Sequence, residues 1–362
     1  MSKISSYFIF IFAPLVLLGV GCVTLSGTQS GTGSVGVFTS NDQGTSWASS
    51  SALPTPAGIK SISGANVSAF IEDPRDPSAL YLTTRENGFF FSYKDATDWK
   101  QPAAPFTSGF TYDVAVHPFE NCTLYATDGT KVYKSIDCAR TWEEVYRESR
   151  PSVLVQSLAF DRFAPNRLLV AESSGDILQT FDAGITWNVL YRFSGRIANI
   201  RPDLLKKGVF YVITRDKGLW RSDDGGTSWK SLSGGLSAFS GGLEYRRFVQ
   251  HPRTEGKLYW ISKYGILFST DFGETWHEIK LITPAGSVDI YGFAVNPSND
   301  NEIYYTATIP ASLRSTFYRS ADGGVTWTTK KLPSGQIPVA LRVHPLDPQK
   351  LFIGFTILPK KK

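Results

Sequence analysis

The sequence predicts an all-β fold, a single seven-bladed β-propeller, from two repeated patterns and from two chain ends that complement each other. The first pattern is an octapeptide of the form Ser-x-Asp-x-Gly-x-Thr/Ser-Trp, best preserved at residues 222–229. Its Asp side chain can accept hydrogen bonds from the backbone N–H groups that follow, and its Gly tolerates the positive φ of a chain reversal. The Trp starts the next strand and buries a large ring. The octapeptide therefore predicts a tight turn between two antiparallel strands.

Seven copies of this turn occur along the chain, and their Trp residues are 52, 43, 45, 42, 47 and 51 residues apart. A four-stranded propeller blade needs about 40–50 residues, so each copy marks one blade. The copy at 92–99 is degraded, because Lys94 and Ala96 replace Asp and Gly, and the copy at 135–142 has Ala139 for Gly. The Asp expected to brace its own turn is present as Asp42, Asp137, Asp182, Asp224, Asp271 and Asp322.

The second pattern is an apolar strand that ends in a polar residue before proline, as in Val114-Ala115-Val116-His117-Pro118. Proline has no N–H, so it belongs just past the end of a strand. His117, His251 and His344 share this position and are therefore expected to be structural. The chain opens with only the last two strands of a unit and closes with only the first two. Pairing of these half-blades would close the ring, whereas an open β-sandwich array, the alternative, would leave both unpaired.

The N-terminus has the layout of an export signal, in which Lys3 precedes an apolar run over residues 7–20. The small residues before Cys22 resemble a bacterial lipobox, except that Gly19 stands where Leu is usual. We therefore predict a signal peptide at 1–21, lipidation of Cys22, a linker at 22–33, the propeller at 34–357 and a basic tail at 358–362. A lipid would anchor a monomer to the bacterial membrane, at the cell surface or in the periplasm. A retained membrane anchor and simple secretion are the alternatives.

Composition excludes several classes of partner and chemistry. The formal net charge is +5, of which Lys360, Lys361 and Lys362 supply three charges, so bulk charge does not predict nucleic-acid binding. No zinc-ligand spacing, phosphate-binding loop or nucleophile elbow occurs, and we expect no cofactor and no metal. Cys122 and Cys138 flank one predicted hairpin nearly opposite each other, which favours a disulfide in an exported protein over two free thiols.

The turns resemble Asp-box (BNR) repeats, and the whole unit is similar to the propellers of the sortilin family, of xyloglucan-degrading glycoside hydrolases and of photosystem II assembly factors. The resemblance covers about residues 34–357 and implies that the Asp-boxes lie on the outer rim, away from the binding face. The chain departs from each family in some respect. It lacks the Arg-Ile-Pro signature of sialidases, the second propeller of xyloglucanases, and the ten blades and Cys-rich modules of sortilins.

The loops opposite the Asp-boxes are the predicted binding face. Arg and Tyr recur there, and both residue types are enriched at binding hot spots. The predicted ligand-binding residues are Arg85, Tyr146, Arg147, Tyr191, Arg192, Arg215, Tyr245, Arg246, Arg247 and Tyr264. These loops predict non-catalytic binding of a protein or a glycan, although a solvated rim of surface ion pairs would have the same composition. The alternatives are an assembly factor for a membrane protein complex and a glycoside hydrolase that pairs Glu86 or Glu148 with Asp216 or Glu244.

Overall fold

The computed structural model describes residues 33–215 and 217–358, and nearly all of its regular structure is β-strand. The predicted signal peptide, Cys22, most of the linker and nearly all of the basic tail therefore lie outside the described residues. Within the described part of the chain, no helix is long and apolar enough to cross a membrane. Seven four-stranded sheets follow one another around a ring, which confirms the seven-bladed propeller.

The chain begins with β1 (Gly36–Ser40) and β2 (Ala48–Ser49), followed by a separate hairpin of β3 (Ala52–Thr55) and β4 (Gly58–Ser61). Blade 1 contains β5 (Val67–Glu72), β6 (Leu80–Thr84), β7 (Asn87–Ser92) and β8 (Gly109–Phe110). Blade 2 contains β9 (Asp113–Val116), β10 (Leu124–Thr127), β11 (Lys131–Ser135) and β12 (Glu143–Arg147). Blade 3 contains β13 (Val155–Asp161), β14 (Ala164–Glu172), β15 (Asp176–Thr180) and β16 (Asn188–Arg192).

Blade 4 contains β17 (Ile197–Pro202), β18 (Phe210–Thr214), β19 (Gly218–Ser222) and β20 (Lys230–Ser231), and the short helix α1 (Ser233–Ser237) follows it. Blade 5 contains β21 (Tyr245–Gln250), β22 (Leu258–Ser262), β23 (Ile266–Ser269) and β24 (His277–Ile279). Blade 6 contains β25 (Asp289–Asn296), β26 (Asn299–Thr308), β27 (Ser315–Ser320) and β28 (Thr328–Lys330). Blade 7 joins β29 (Ile337–Val343) and β30 (Leu351–Thr356) to β1 and β2.

The ring closes in blade 7 by the predicted pairing of the two half-blades. Strand β1 lies antiparallel to β30, with Gly36 opposite Phe355 and Ser40 opposite Leu351. This pairing leaves no open sheet edge between the first and last blades. It also places the start of β1 beside the end of β30, so both ends of the described chain emerge next to each other on one face of the ring.

Trp residues of the turns form hydrogen bonds between neighbouring blades. The Nε1–H of Trp187 in blade 3 donates to the Val145 carbonyl of blade 2 at 2.9 Å, and that of Trp327 in blade 6 donates to the Lys280 carbonyl beyond blade 5 at 2.8 Å. Gly184 lies beside the contact between Trp187 and Val145 and has a φ of +96°. A Cβ on this residue would lie 2.8 Å from the Cβ of Val145. The turn therefore requires glycine because the neighbouring blade approaches so closely.

Two features depart from a regular repeat. In blade 1 the strand expected to start at Trp99 is reduced to a single bridge between Phe91 and Lys100, and β8 pairs with β7 in parallel. This is the blade whose turn lost its Asp and Gly, so the local cause of the irregular edge is visible in the sequence. The β3–β4 hairpin is an insertion between blades 7 and 1 that the repeat pattern did not predict.

Each blade runs from an inner strand beside the central channel to an outer strand at the rim. The Asp-box turns and the loops between first and second strands lie on one face, which we call the turn face. The loops between second and third strands and the connections between blades lie on the opposite face, which we call the loop face. On the turn face of blade 2, Cys122 and Cys138 are joined in a disulfide with their Cα atoms 4.1 Å apart.

Candidate ligand-binding site

On the turn face, the Asp-box carboxylates are fully engaged with their own turns. One oxygen of Asp224 accepts from the Ser222 hydroxyl at 2.8 Å and from the Ser228 N–H at 2.9 Å, and the other accepts from the Ser228 hydroxyl at 2.6 Å. These hydrogen bonds lower the pKa of Asp224 to about 2. The same bracing recurs at Asp42, Asp137, Asp182, Asp271 and Asp322. These carboxylates have little capacity left for a ligand.

The three histidines before proline also serve local turns. In each case the ring Nδ1 accepts backbone N–H groups two and three residues on, as His117 does from Phe119 at 3.2 Å and Glu120 at 2.8 Å. His251 and His344 make the equivalent pairs of contacts. Among residues 33–215 and 217–358, no group of three or more His, Cys, Asp or Glu side chains is arranged to hold a metal ion.

On the loop face, the first cluster of predicted residues lies at the seam between blades 2 and 3. The Tyr146 hydroxyl, at the end of β12, donates to Glu172 Oε1 at 2.7 Å. Arg150, in the connection to blade 3, lies 2.7 Å from Glu148 Oε2, 2.5 Å from Glu172 Oε2 and 2.8 Å from Asp176 Oδ2. We call this set of residues, together with Arg192, the seam cluster. Arg192 joins it at the rim, with its Nε 3.3 Å from Asp176 Oδ1.

The pKa values of the two glutamates of the seam cluster are shifted in opposite directions. Burial is the main cause that raises the pKa of Glu172 to about 7, and the neighbouring Glu148 adds to the effect. The bond from Arg150 is the main cause that lowers the pKa of Glu148. The side chain of Glu172 is 0% exposed, whereas that of Arg150 is 47% exposed. A buried carboxyl group and a carboxylate therefore share one half-exposed guanidinium.

Glu172 is a functional candidate that the sequence interpretation missed, although the repeats carry a signal for it. It is the last residue of the second strand and pairs with Val155, the first residue of the inner strand. The same position in the other six blades is occupied by buried Thr or Ser, namely Thr84, Thr127, Thr214, Ser262, Thr308 and Thr356. Blade 3 thus carries an ionisable group where every other blade carries a hydroxyl.

The second cluster lies at the mouth of the central channel on the loop face, where blade 5 begins. Tyr245, Arg246 and Arg247 are the first residues of β21. Arg246 is neutralised by Asp289 of blade 6, with Nη2 3.3 Å from Oδ1. Arg247 reaches across the channel, donating from Nε to the Tyr291 carbonyl at 2.9 Å and from Nη2 to the Val339 carbonyl of blade 7 at 2.6 Å. We call these three residues the channel mouth.

Arg247 has no carboxylate partner among the described residues. Burial lowers its pKa, and the nearby Tyr245 opposes that effect. In the neighbouring blade 4, Arg201 is compensated, because its Nη1 lies 3.5 Å from Asp113 and 3.1 Å from the Ser157 hydroxyl. Two carbonyl groups therefore hold the Arg247 guanidinium in place, and no carboxylate of the described chain compensates its charge.

The other predicted residues do not gather at either cluster. The Tyr191 ring packs between blades against Phe193, at 4.8 Å between ring centroids. Arg147 pairs with Glu144 on its own outer strand at 2.7 Å. The Tyr264 hydroxyl binds Glu278, and its ring lies 5.0 Å from that of Phe239. Arg85 and Arg215 lie in loops between second and third strands, and only Arg215 approaches the channel mouth, where its charge acts on Tyr245.

Comparison with known proteins supports the Asp-box identification and the fold. Residues 267–278 match the family model described as BNR/Asp-box repeat. A xyloglucanase of Paenibacillus sp is 25% identical over 297 residues, which are 72% of this chain and 26% of that protein. Xyloglucanase Xgh74A of Acetivibrio thermocellus is 24% identical over 294 residues, which are 72% of this chain and 32% of that protein. The chain thus spans about a third of these curated relatives or less.

Solved structures of the same architecture include xyloglucanases and YCF48 propellers. The GH74 xyloglucanase of Xanthomonas campestris superposes with a TM-score of 0.61 at 18% identity, covering 81% of this chain and 51% of that one. YCF48 of Cyanidioschyzon merolae superposes with a TM-score of 0.59 at 15% identity, covering 80% and 95%. A structure of YCF48 bound to D1 peptide gives a TM-score of 0.59 at 16% identity, covering 81% and 94%. These likenesses show the propeller fold.

Proposed function

We propose that this chain is an exported, non-catalytic binding propeller whose ligand is a segment of another protein, held at the channel mouth. The observation that carries the proposal is Arg247, a fixed guanidinium whose only described acceptors are the carbonyls of Tyr291 and Val339. A carboxylate, from an acidic side chain or a chain terminus, would form a charge-assisted hydrogen bond with it. Tyr245 and the compensated Arg246 flank this point and would contact the rest of the segment.

A protein ligand has more support than a glycan. YCF48, a propeller that this chain covers to 94%, has been solved bound to a peptide. Peptide binding is a property of YCF48 and a precedent for this fold. The xyloglucanases are much longer proteins, and this chain covers only 51% of the one from Xanthomonas campestris. The channel mouth also offers the uncompensated charge of Arg247, whereas Asp113 and Asp289 nearby are already paired with arginines.

Of the carboxylates predicted for the glycoside hydrolase alternative, Asp216 lies outside the described residues and Glu148 is held by Arg150. Glycosidases keep two carboxyl groups about 5–10 Å apart with the sugar between them. Glu148 and Glu172 both contact the same Nη2 of Arg150, at 2.7 and 2.5 Å, and their side chains are 3% and 0% exposed. A sugar would have to displace this arginine to reach either group.

The test is a binding selection with a library of peptides that present free carboxylates, using the full chain as bait. We expect the selected peptides to lose at least about tenfold in affinity for Arg247→Ala, and to lose as much when their carboxylates are amidated. Arg140→Ala, on an exposed arginine of a turn-face Asp-box, is the matched control and should bind like the wild type. Equal affinity for wild type and Arg247→Ala would overturn the proposal. Release of reducing sugar from xyloglucan by the purified chain would favour the hydrolase.

A further inference from the structure

Both ends of the described chain emerge on the loop face, and this fixes where the remaining segments attach. Gly36 pairs with Phe355, and the N–H of Ile357 donates to Asn66 Oδ1 of blade 1 at 2.9 Å. Residues 1–32, which include Cys22, precede this point, and Lys360, Lys361 and Lys362 follow it. A lipid on Cys22 and a basic tail would therefore both act from the loop face.

An arc of the loop face beside these ends combines exposed isoleucines with exposed cations. It runs from the connection after blade 5, through blades 6 and 7, to the β3–β4 hairpin before blade 1. The isoleucines are Ile59, Ile282, Ile309 and Ile357, which are 79%, 59%, 47% and 51% exposed. The cations are Lys60, Lys280, Arg314 and Lys331, all of them exposed. We call these eight residues the basic–apolar arc.

The cations of the arc have no ion-pair partner in the part of the chain that the structure describes. The nearest acidic neighbour in sequence, Glu278, is bound by the Tyr264 hydroxyl. Lys331 lines an open cavity of about 450 Å³ next to Gly33, where the chain enters the propeller. The seam cluster differs in this respect, because its arginines are paired with carboxylates. The arc therefore carries four cations without an ion-pair partner among the described residues, with apolar side chains between them.

The hairpin is the most specific part of the arc. Its base is anchored by Leu53 and Ile62, which are 9% and 3% exposed. Every residue of β4 is exposed, and Ile59 lies opposite Pro54 and Lys60 opposite Leu53 in the hairpin. The hairpin is seated beside the entry of the chain, where the N–H of Gly36 donates to the Ala65 carbonyl at 3.1 Å. An inserted hairpin that buries its base and exposes an isoleucine beside a lysine has the chemistry of a membrane-surface contact.

We propose that the basic–apolar arc docks on the surface of an anionic lipid bilayer, with the tip of the β3–β4 hairpin entering the headgroup region. Cations near an anionic surface each add about fivefold to partitioning, and exposed apolar side chains add to it at the interface. The segment between Cys22 and Gly33 spans at most about 40 Å when fully extended. A lipid on Cys22 would thus hold this face within reach of the bilayer, and the arc would set its orientation.

The consequence is a tilt of the ring that turns the channel mouth toward the membrane. The arc occupies blades 5 to 7 and the start of blade 1, so blades 2 to 4 would remain open to an approaching segment. The proposal does not depend on peptide binding at Arg247, since it rests on different residues.

Depth-dependent quenching tests the orientation in the intact chain. The full-length protein, with an NBD label on Ile59→Cys or Ile282→Cys, is reconstituted into phosphatidylcholine vesicles with and without phosphatidylglycerol. We expect a nitroxide lipid to quench these labels in anionic vesicles. A label on Ile185→Cys, an 83% exposed turn-face isoleucine, should remain unquenched. Equal quenching at residues 59 and 185, or quenching at neither, would overturn the proposal.

A charge-reversal variant separates the arc from the anchor and from the channel mouth. Lys60→Glu, Lys280→Glu, Arg314→Glu and Lys331→Glu together should reduce quenching at residue 59 at least about tenfold, since each cation contributes about fivefold. Arg140→Glu, Arg162→Glu, Lys207→Glu and Arg253→Glu together, which reverse four exposed cations of the turn face, are the matched control. Peptide affinity at Arg247 should be unchanged in both variants. Quenching that survives the fourfold reversal would show that the arc does not dock.

Discussion

Arg150 and Arg247 are two arginines of the loop face that differ in how their charge is satisfied. Arg150 contacts three carboxylates, those of Glu148, Glu172 and Asp176, at 2.5 to 2.8 Å. Arg247 contacts two backbone carbonyls, and no carboxylate of the described chain lies within ion-pair distance. The first arginine compensates buried negative charge, whereas the second is held in place with its own charge uncompensated.

Residue type and loop position are poor guides to a binding site unless the groups that each side chain contacts are known. Arg150 lies in the connection between blades 2 and 3, whereas Arg247 lies in β21, and only Arg247 was among the predicted residues. A guanidinium that satisfies buried carboxylates stabilises the fold, because its removal leaves charge in a low-dielectric environment. Removal of a guanidinium that contacts only carbonyls lowers folding stability less, and such a guanidinium can still form a charge-assisted hydrogen bond with an anionic ligand.

The largest expected difference between the two arginines is in folding stability. Arg150→Ala should lower the free energy of unfolding at neutral pH by about 3 kcal/mol, because Glu148 and Glu172 would lose their shared cation. Arg247→Ala should lower it by only about 1–2 kcal/mol through lost hydrogen bonds. Urea unfolding followed by tryptophan fluorescence measures both values. A larger loss for Arg247→Ala than for Arg150→Ala would reverse the assignment of the two roles.

The pH dependence of stability should locate the buried carboxyl group of the seam cluster. Burial raises the pKa of Glu172 from 4.5 to about 7, so the folded chain binds this proton more tightly than the unfolded chain. The stability that Glu172 contributes is therefore complete below 4.5 and is lost as the pH rises to about 7. Urea midpoints measured through this window should fall with rising pH in the wild type. Glu172→Gln should flatten the fall, and an unchanged slope would exclude Glu172 as the titrating group.

Replacing Glu172 with the residue type found at this position in other blades tests whether the seam cluster stabilises the fold. Glu172→Thr installs the residue type that most other blades carry at this position and leaves Arg150 paired with Glu148 and Asp176. We expect no loss, and a gain of up to about 1 kcal/mol at neutral pH, because a buried carboxyl group is removed. Thermal melting provides the measurement. A clear loss of stability would mean that the cluster is a structural requirement of blade 3.

The smallest effect on the free energy of unfolding is expected at the turn carboxylates. Unlike the two arginines, these carboxylates contact only residues of their own turns. Asp224→Asn should cost about 1 kcal/mol or less, since the turn keeps its backbone geometry and loses part of its bracing. The low pKa of Asp224 means that its contribution is present above 3.8 and is lost as the pH falls toward 2. Unfolding at about pH 7 and about pH 3 checks this, because the difference in stability between the variant and the wild type should be smaller at the lower pH.

Much of the fold could be predicted because the relevant interactions are short in sequence. The Asp-box contacts span two to four residues, so the spacing of Ser, Asp, Gly and Trp encodes them directly. In blade 1 the turn lacks this Asp and Gly, and the outer edge is irregular there. The β3–β4 hairpin was missed because it belongs to no repeat and carries no turn pattern of that kind.

The binding face was predicted only as a set of loops. Tyr191 was assigned to such a loop, yet it lies in β16 and packs against Phe193, whereas Glu172 ends a buried strand and joins the seam cluster. Comparison of the seven repeats would have singled out Glu172, since the other blades have Thr or Ser there, but its partners would have remained unknown.

The sequence by itself determined the number of blades, the bracing of the turns and the closure of the ring, because repeated local patterns specify them. Only the tertiary structure decided which charges meet. The contact between Arg247 and the Val339 carbonyl joins residues 92 positions apart, and Arg150 reaches Glu172 and Asp176 across the seam of two blades. Such contacts depend on the angle at which blades pack around the channel, which no local pattern encodes. The compensated and the uncompensated arginine therefore become distinguishable only in the folded ring.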